Sequence, residues 1–198
     1  MTFVSPVVRI TLSGMTALAL AMGIGRFAFT PLLPLMLSDG LIDIGQGGWL
    51  ASANFLGYLL GAVSATWLRL PPRATLRAAL LAIGIATLGA GLTHSYPWWL
   101  VLRWLCGLSS AWVLMVVSNY TMRALARHGR AELQGWVFSG VGSGIAVAGL
   151  ACLVFMVEGI GSLAAWRIIG AVTLVLALAL SLLMGPEIPP LAAGAAGA

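Results

Sequence analysis

The chain has 198 residues, of which 61% are hydrophobic and 8% are charged. Soluble domains carry about 25% charged residues, so this composition excludes a water-soluble globule and indicates an all-α membrane protein. The net charge of +5 comes from arginine, since the chain has no lysine. Most arginines stand in short loops between apolar runs, which argues against a nucleic-acid-binding surface.

Six apolar segments are each long enough to cross a bilayer, which takes about 20 helical residues. The predicted spans are residues 8–37, 47–68, 74–93, 97–121, 134–157 and 163–184, which together form a transmembrane bundle over residues 1–185. The prolines of the tail 186–198 cannot continue a helix, so this segment is predicted to be a flexible cytoplasmic tail or a truncated linker.

The arginines predict that both termini face the cytoplasm. Seven arginines lie in or beside the segments on the side of the N-terminus: Arg9, Arg69, Arg73, Arg77, Arg123, Arg127 and Arg130. The opposite loops carry Asp39, Asp43 and Glu158 and no arginine. An excess of arginine in short loops marks the cytoplasmic side, which predicts a multi-pass protein of a bacterial inner membrane.

The first span is read as a helix that stays in the membrane. Ala19-Leu20-Ala21 has the form of a signal-peptide cleavage site. However, the apolar run continues well past Ala21 and is longer than the apolar region of a signal peptide. We therefore expect the segment to remain uncleaved.

An arginine lies deep in this first span, within the stretch GIGRFAFTPLLP (23–34). Arg26 is about 27 Å along a helix that starts at Val8. Even the lowest scales give a cost of about 2.5 kcal/mol for arginine at mid-bilayer, and such residues usually face a cavity or a partner. Helical spacing places Arg26 and Thr30 on one small, polar stripe with Ala19 and Gly23.

Two prolines follow Arg26 and leave its role open. Pro31 and Pro34 each lack a backbone N–H and are predicted to kink the helix and free carbonyl groups. Arg26 can then bind a ligand or gate a cavity. In the alternative interpretation it is a structural arginine that bonds the freed carbonyls.

Polar and small residues in other spans complete the candidate site. Asn54 and Tyr58 share a face of span two, and Arg103 lies about 9 Å into span four with Ser110 on the same face. The candidate substrate-binding or gating residues are Arg26, Thr30, Asn54, Tyr58, Arg103 and Ser110. Glycines at GxxxG spacing usually mark close helix contacts. The predicted packing positions are Gly57, Gly61, Gly107, Gly140 and Gly144.

The spans contain no acidic residue near their centres, so Arg26 and Arg103 need a counter-ion from elsewhere. An anionic group of a substrate is one candidate, and an acid on a partner bundle is another. His94 and His128 stand alone, and Cys106 and Cys152 lie in apolar runs, where cysteine is usually a packing residue. The sequence therefore predicts no catalytic residue, no metal and no cofactor.

Two alternative functions remain open for a six-span protein. A serine hydrolase within the membrane would use Ser143 of GVGSG as its nucleophile, but this needs a positioned base, and neither histidine lies within a span. A six-span subunit that only binds a partner protein is the second alternative, because the GxxxG faces permit helix association.

The stretch RWLCGLSSA (103–111) resembles the fourth-helix motif of the major facilitator superfamily. More specifically, GIGRFAFTPLLPLM (23–36) and GWLASANFLGYLLGA (48–62) resemble the YbfB/YjiJ-like branch of that superfamily. The loop after span two departs from the family pattern, since Ala65 stands near the place of the usual aspartate. Span five also lacks the Gly-Pro of the antiporter motif.

The resemblance implies a secondary carrier of a small molecule that works by alternating access. It also implies that this chain is the N-terminal half, an inverted 3+3 repeat of six helices. The expected partners are the lipid bilayer, a small-molecule substrate, and either the missing C-terminal half or a second copy of the chain. No nucleic acid is expected.

Overall fold

A computed structural model describes residues 5–67 and 71–183, and these ranges contain helices and no strand. The first three elements join without a loop into one rod of 33 residues, from Pro6 to Ser38. The predicted tail and Arg69 lie outside the described residues. The elements in chain order are α1 (Pro6–Leu18), a π-helical segment (Ala19–Phe27), α2 (Phe29–Ser38), α3 (Ile44–Ala65), α4 (Pro72–Ala90), α5 (Tyr96–Arg127), a 3₁₀ turn (Ala131–Leu133), α6 (Gln134–Val157) and α7 (Ser162–Leu183).

Local capping signals set several of these boundaries. Asp43 Oδ1 accepts a hydrogen bond from Gln46 N at 2.7 Å, and Gln46 Oε1 accepts one from Asp43 N at 3.0 Å. This capping box starts α3 at Ile44, ahead of the predicted residue 47. The helices α2, α5 and α6 are each followed by a glycine in the left-handed region, a conformation that ends helices and favours glycine. These are Gly40, Gly129 and Gly159, with φ of 67°, 66° and 67°.

The largest departure from the predicted boundaries is in α5. This helix has 32 residues and continues to Arg127, whereas the predicted span ends at residue 121. At 1.5 Å per residue it is about 48 Å long and exceeds the hydrocarbon thickness of about 30 Å. The prediction ended the span before Arg123, but arginine is a good helix former, and no breaker occurs before Gly129.

Five helical segments of the described chain are long and apolar enough to cross a membrane. They include the rod and the segments that contain α4, α5, α6 and α7. Helix α3 is not among them, although it has 22 residues and no charged residue. Its polar side chains, such as Gln46 and Asn54, and its many glycines lower its mean hydropathy. The chain is therefore shown to be a polytopic α-helical protein, while a count of six spans stays a prediction.

The buried apolar residues form two layers. One layer joins the start of the rod to the starts of α4 and α6 and the ends of α5 and α7, with Leu80 and Val113 among its fully buried members. The other layer lies at the opposite end of the bundle and includes Phe29 and Trp166. Ile24, in the π segment, packs against both layers. The π segment therefore lies at the boundary between them.

Two helix pairs approach each other closely through glycine. Helix α3 packs most extensively on α5, and α6 packs on α1 and the π segment. A Cβ on Gly57 would overlap the Trp104 carbonyl of α5, and a Cβ on Gly140 would overlap the Met15 carbonyl of α1. Only glycine permits this separation, because any larger residue would force the backbones apart.

Candidate functional site

The rod changes from α- to π-helical geometry over Ala19–Phe27. A π turn closes i→i+5 hydrogen bonds, and such segments are rare but frequent at functional sites. Proline has no N–H, so Pro31 cannot donate to the Arg26 carbonyl five residues before it. The hydrogen bond from Ala28 N to Ile24 O is long, at 3.4 Å. The rod therefore leaves carbonyl groups available for donors from other helices.

Side chains of α3 and α5 donate to these carbonyls. Arg103 Nη1 donates to Gly25 O at 3.3 Å, and its Nη2 donates to Arg26 O at 3.1 Å. Asn54 Nδ2 donates to Gly25 O at 3.3 Å and to Arg103 O at 2.8 Å. Arg103 and Asn54 are only 6% and 2% exposed, so these bonds are shielded from water. Arg103, and not Arg26, therefore donates hydrogen bonds to the freed carbonyls. This is the structural role that the sequence left open for Arg26.

Ser110 adds a further bond between α5 and the π segment. Its Oγ lies 2.7 Å from Ala21 O and 2.7 Å from Cys106 O in its own helix. Ser110 is fully buried, and a Cβ on Gly25 would lie 2.9 Å from its Oγ. The absence of a side chain at Gly25 thus lets α5 come close enough for its donors to reach the carbonyls.

Arg26 has different surroundings. Its Cζ lies 3.9 Å from the centroid of the Tyr58 ring, 5.2 Å from that of Phe55 and 5.3 Å from that of Phe27. Its Nε is buried without a hydrogen-bond partner, and the half-buried side chain makes no hydrogen bond with the described residues. Aromatic rings contact a guanidinium through its face. The edge that carries the two terminal nitrogens therefore stays available.

The carboxylates of the described chain lie away from both arginines. Each stands at a helix end: Asp39, Asp43, Glu132 and Glu158. The ion pair found in the described ranges joins Arg130 to Glu132, which are both exposed. Among residues 5–67 and 71–183, no carboxylate contacts Arg26 or Arg103. Within the part of the chain that the structure describes, the guanidinium of Arg26 therefore contacts aromatic rings and no carboxylate.

The predicted polar stripe on the first helix is wrong as a single face. A Cβ on Gly144 of α6 would meet Ala19, and a Cβ on Gly23 would meet Gly144, so both of these rod residues face α6. Arg26 instead contacts rings of α3. The wider turn of the π segment changes the angle between successive residues, so spacing derived from an α-helix fails there. Thr30, in α2, is exposed and makes no hydrogen bond with the described residues.

The two prolines lie beyond the irregular geometry. Pro31 and Pro34 are both in α2, and α2 continues through Pro34 to Ser38. Pro31 is half-buried and Pro34 is exposed. The π segment precedes both prolines, and the predicted kink at these residues stays a prediction.

The glycines of α3 and α5 contact each other's backbones. A Cβ on Gly61 would lie 2.5 Å from Leu108 O, and one on Gly107 would overlap the Asn54 carbonyl. This close approach places Asn54 between α5 and the π segment, where it bonds both. Packing of small residues thus positions a polar side chain of the candidate site.

The residues considered for other chemistry are kept apart. Ser143 Oγ donates to Gly140 O of its own helix at 3.2 Å. His94 lies in the loop before α5 and His128 follows the end of α5, so neither stands beside Ser143 as a base. In the part of the chain that the structure describes, no three His, Cys, Asp or Glu side chains come together in a way that could hold a metal.

Sequence reasoning named Tyr58 as a candidate but missed Phe27 and Phe55, and it did not predict that these rings surround Arg26. Phe55 and Tyr58 are three residues apart, a spacing that places both side chains on one side of a helix. That spacing was available in the sequence, but nothing in it indicated that this side of α3 meets Arg26. The role of Gly25, whose carbonyl accepts two side-chain donors, was also missed.

Comparison with known families supplies an independent finding. The model of the family described as "Uncharacterised MFS-type transporter YbfB" matches residues 18–197. The match covers the π segment, Arg26, Arg103 and every helix after α1. No curated protein sequence matches the chain.

Proposed function

Since the chain belongs to the YbfB family of MFS-type transporters, we propose that it carries a small anionic molecule across the membrane and that Arg26 binds the negative charge. Family membership confirms the resemblance inferred from residues 23–36 and 48–62. The proposal of an anionic substrate rests on the surroundings of Arg26. Its guanidinium edge makes no hydrogen bond, and no described carboxylate balances its charge. Buried ionisable residues in membrane proteins usually mark the path of a substrate or ion.

Helix α3 is proposed as a sixth span. Its low hydropathy comes partly from residues that face the bundle, because Asn54 is buried and bonds α5 and the π segment. Most of its large apolar side chains face outwards, with Leu56 and Leu59 53% and 59% exposed. A helix with this distribution can cross lipid although its mean hydropathy is modest.

The packing also supports an inverted 3+3 repeat. The pair α3–α5 and the pair α6–rod use the same device, in which two glycines one turn apart meet two carbonyls one turn apart. In such a repeat, spans one, two and three correspond to spans four, five and six. The pair formed by spans two and four (α3 and α5) then corresponds to the pair formed by spans five and one (α6 and the rod). The corresponding contacts are Gly57 and Gly61 on Trp104 and Leu108, and Gly140 and Gly144 on Met15 and Ala19.

The proposed mechanism is alternating access between two bundles around a central site. Arg26 holds the substrate, with Tyr58 and the exposed Thr30 beside its path. Arg103, Asn54 and Ser110 keep the π segment in place through its carbonyls. The second bundle is a C-terminal six-helix half or a second copy of the chain.

The proposed location is a bacterial inner membrane with both termini in the cytoplasm. In the structure, the start of the rod, the start of α4 and the end of α5 lie at one end of the bundle. Arginines belong to all three of these segments: Arg9, Arg73, Arg77, Arg123 and Arg127. Asp39 and Asp43 lie at the opposite end, which is therefore proposed to face outwards.

Uptake of radiolabelled organic anions and matched neutral compounds, by cells that express the chain, tests the proposal. We expect uptake of at least one anion, and we expect Arg26→Gln to abolish it at an unchanged membrane level on an immunoblot. Arg167→Gln is the matched control, because Arg167 is exposed and donates to Leu163 O of its own helix. Equal uptake by wild type and Arg26→Gln, or uptake of neutral compounds alone, would overturn the proposal.

A further inference from the structure

We infer that the anion bound at Arg26 is a monocarboxylate carried on a flat, apolar group. This inference rests on the proposed function, since it specifies the ligand of the same site. It follows from three properties of the residues around Arg26 and Arg103. These are the number of guanidinium groups with free terminal nitrogens, the geometry of the free guanidinium edge, and the hydrogen bonds that the neighbouring polar groups already make.

The cluster contains two guanidinium groups, but only one has free donors at its tip. Arg103 directs Nη1 and Nη2 at carbonyls of the π segment and is 6% exposed. Its two terminal nitrogens therefore donate to the protein backbone, and its Nε is buried without a hydrogen-bond partner. Arg26 has the terminal nitrogens that remain free, so the site can pair directly with one carboxylate. A doubly charged group such as phosphate would find no second guanidinium with free terminal nitrogens to pair with its second charge.

The geometry at Arg26 favours a planar acid. The Tyr58 ring lies 3.9 Å from Cζ, a stacking distance, so it covers a face of the guanidinium. Nε is buried, which leaves the two terminal nitrogens as the available fork. This fork matches the two oxygens of a carboxylate in a bidentate pair. Tyr58 and Phe55 then offer ring surface to whatever is attached to that carboxylate.

The neighbouring polar groups disfavour a hydroxylated or zwitterionic ligand. The Asn54 amide donates to two carbonyls, and the Ser110 hydroxyl is fully buried against a third. Gly25 O, which accepts two of these bonds, is likewise occupied. Thr30 and Tyr58 are the candidate residues whose hydroxyls make no hydrogen bond with the described residues, so a sugar acid would find two free side-chain partners for its several hydroxyls. An amino acid would find no described carboxylate for its ammonium group.

The test measures dissociation constants by calorimetry on the full chain in lipid nanodiscs. Four probes separate the features: benzoate, benzamide without the charge, phenyl phosphate with a second charge, and gluconate with hydroxyls in place of the ring. We expect benzoate to bind at least about tenfold more tightly than benzamide, as the loss of one charged hydrogen-bond pair implies, and more tightly than phenyl phosphate and gluconate. We expect Arg26→Gln to weaken benzoate by at least about tenfold, and the control Arg167→Gln by less than about twofold.

Two further results keep the inference distinct from protein misfolding and from the proposed function. Tyr58→Leu keeps the cation but removes the ring, and it should weaken benzoate more than gluconate. Phenyl phosphate or gluconate binding as tightly as benzoate, with loss in Arg26→Gln, would overturn the monocarboxylate inference and leave the anion site standing. Binding of no probe anion, or binding that is insensitive to Arg26→Gln, would overturn both.

Discussion

The two closely packed helix pairs make the same kind of glycine–carbonyl contact but differ in backbone geometry and in the candidate site residues on them. In both, glycines of one helix meet carbonyls of the other: α3 on α5, and α6 on the rod. Helix α5 stays α-helical throughout its length, whereas the rod becomes π-helical at Ala19–Phe27. The free cation, Arg26, lies on the irregular member alone. Close packing is therefore repeated in the two pairs, while the candidate site arises where one pair departs from the repeat.

Glycine replacement should have the largest effect on this comparison. Gly140→Val places a side chain against the Met15 carbonyl and should destabilise the bundle by about 3 kcal/mol or more. Gly142→Val, two residues along the same helix, meets nothing within 4 Å and should change stability by less than about 0.5 kcal/mol. Unfolding in mixed micelles with increasing SDS measures both. Equal losses in the two variants would contradict the proposed close contact.

The two arginines provide the next contrast. Arg103→Met removes two donors from buried carbonyls and should lower the free energy of unfolding by about 2 kcal/mol. Arg26→Met removes only contacts with rings and should cost about 1 kcal/mol or less. The same SDS titration compares them. A larger loss for Arg26→Met than for Arg103→Met would reverse the roles assigned to the two residues.

Two adjacent serines give the smallest and most closely matched test. Ser110→Ala removes a buried hydrogen bond to the π segment and should cost about 1 kcal/mol. Ser109 is also buried but makes no hydrogen bond with the described residues, so Ser109→Ala should be close to neutral. The difference between the variants isolates the bond to Ala21 O. Identical stabilities would show that this bond contributes nothing to the fold.

Composition and local signals were sufficient to predict the class and most helix ends. The low charge content gave the membrane class, and prolines, glycines and acidic caps mark the ends of helices. Arg26, Asn54, Arg103 and Ser110 were chosen as polar residues in apolar segments, and the structure brings all four to the π segment. Their roles as a substrate site stay a prediction.

The sequence pattern could not predict the long-range contacts or the irregular backbone. The donors of Arg103 meet carbonyls more than 70 residues away, and no local spacing encodes that distance. The π segment has the same apolar composition as an α-helix, so periodicity was continued through it and produced the wrong stripe. Mean hydropathy alone does not identify α3 as a span for a related reason, because Asn54 lowers this value although its side chain is buried in the bundle.

The unbalanced charge of Arg26 also determines how the membrane potential acts on the site. One elementary charge that crosses the full potential changes in energy by about 2.3 kcal/mol for each 100 mV. Arg26 carries one positive charge when its site is empty, and it forms a neutral pair with the proposed monoanion, while the charge of Arg103 stays unchanged. Displacement of the Arg26 side chain along the membrane normal is therefore electrically coupled when the site is empty and electrically silent when it is loaded. Voltage would then act more strongly on the return of the empty protein than on the step that moves the substrate.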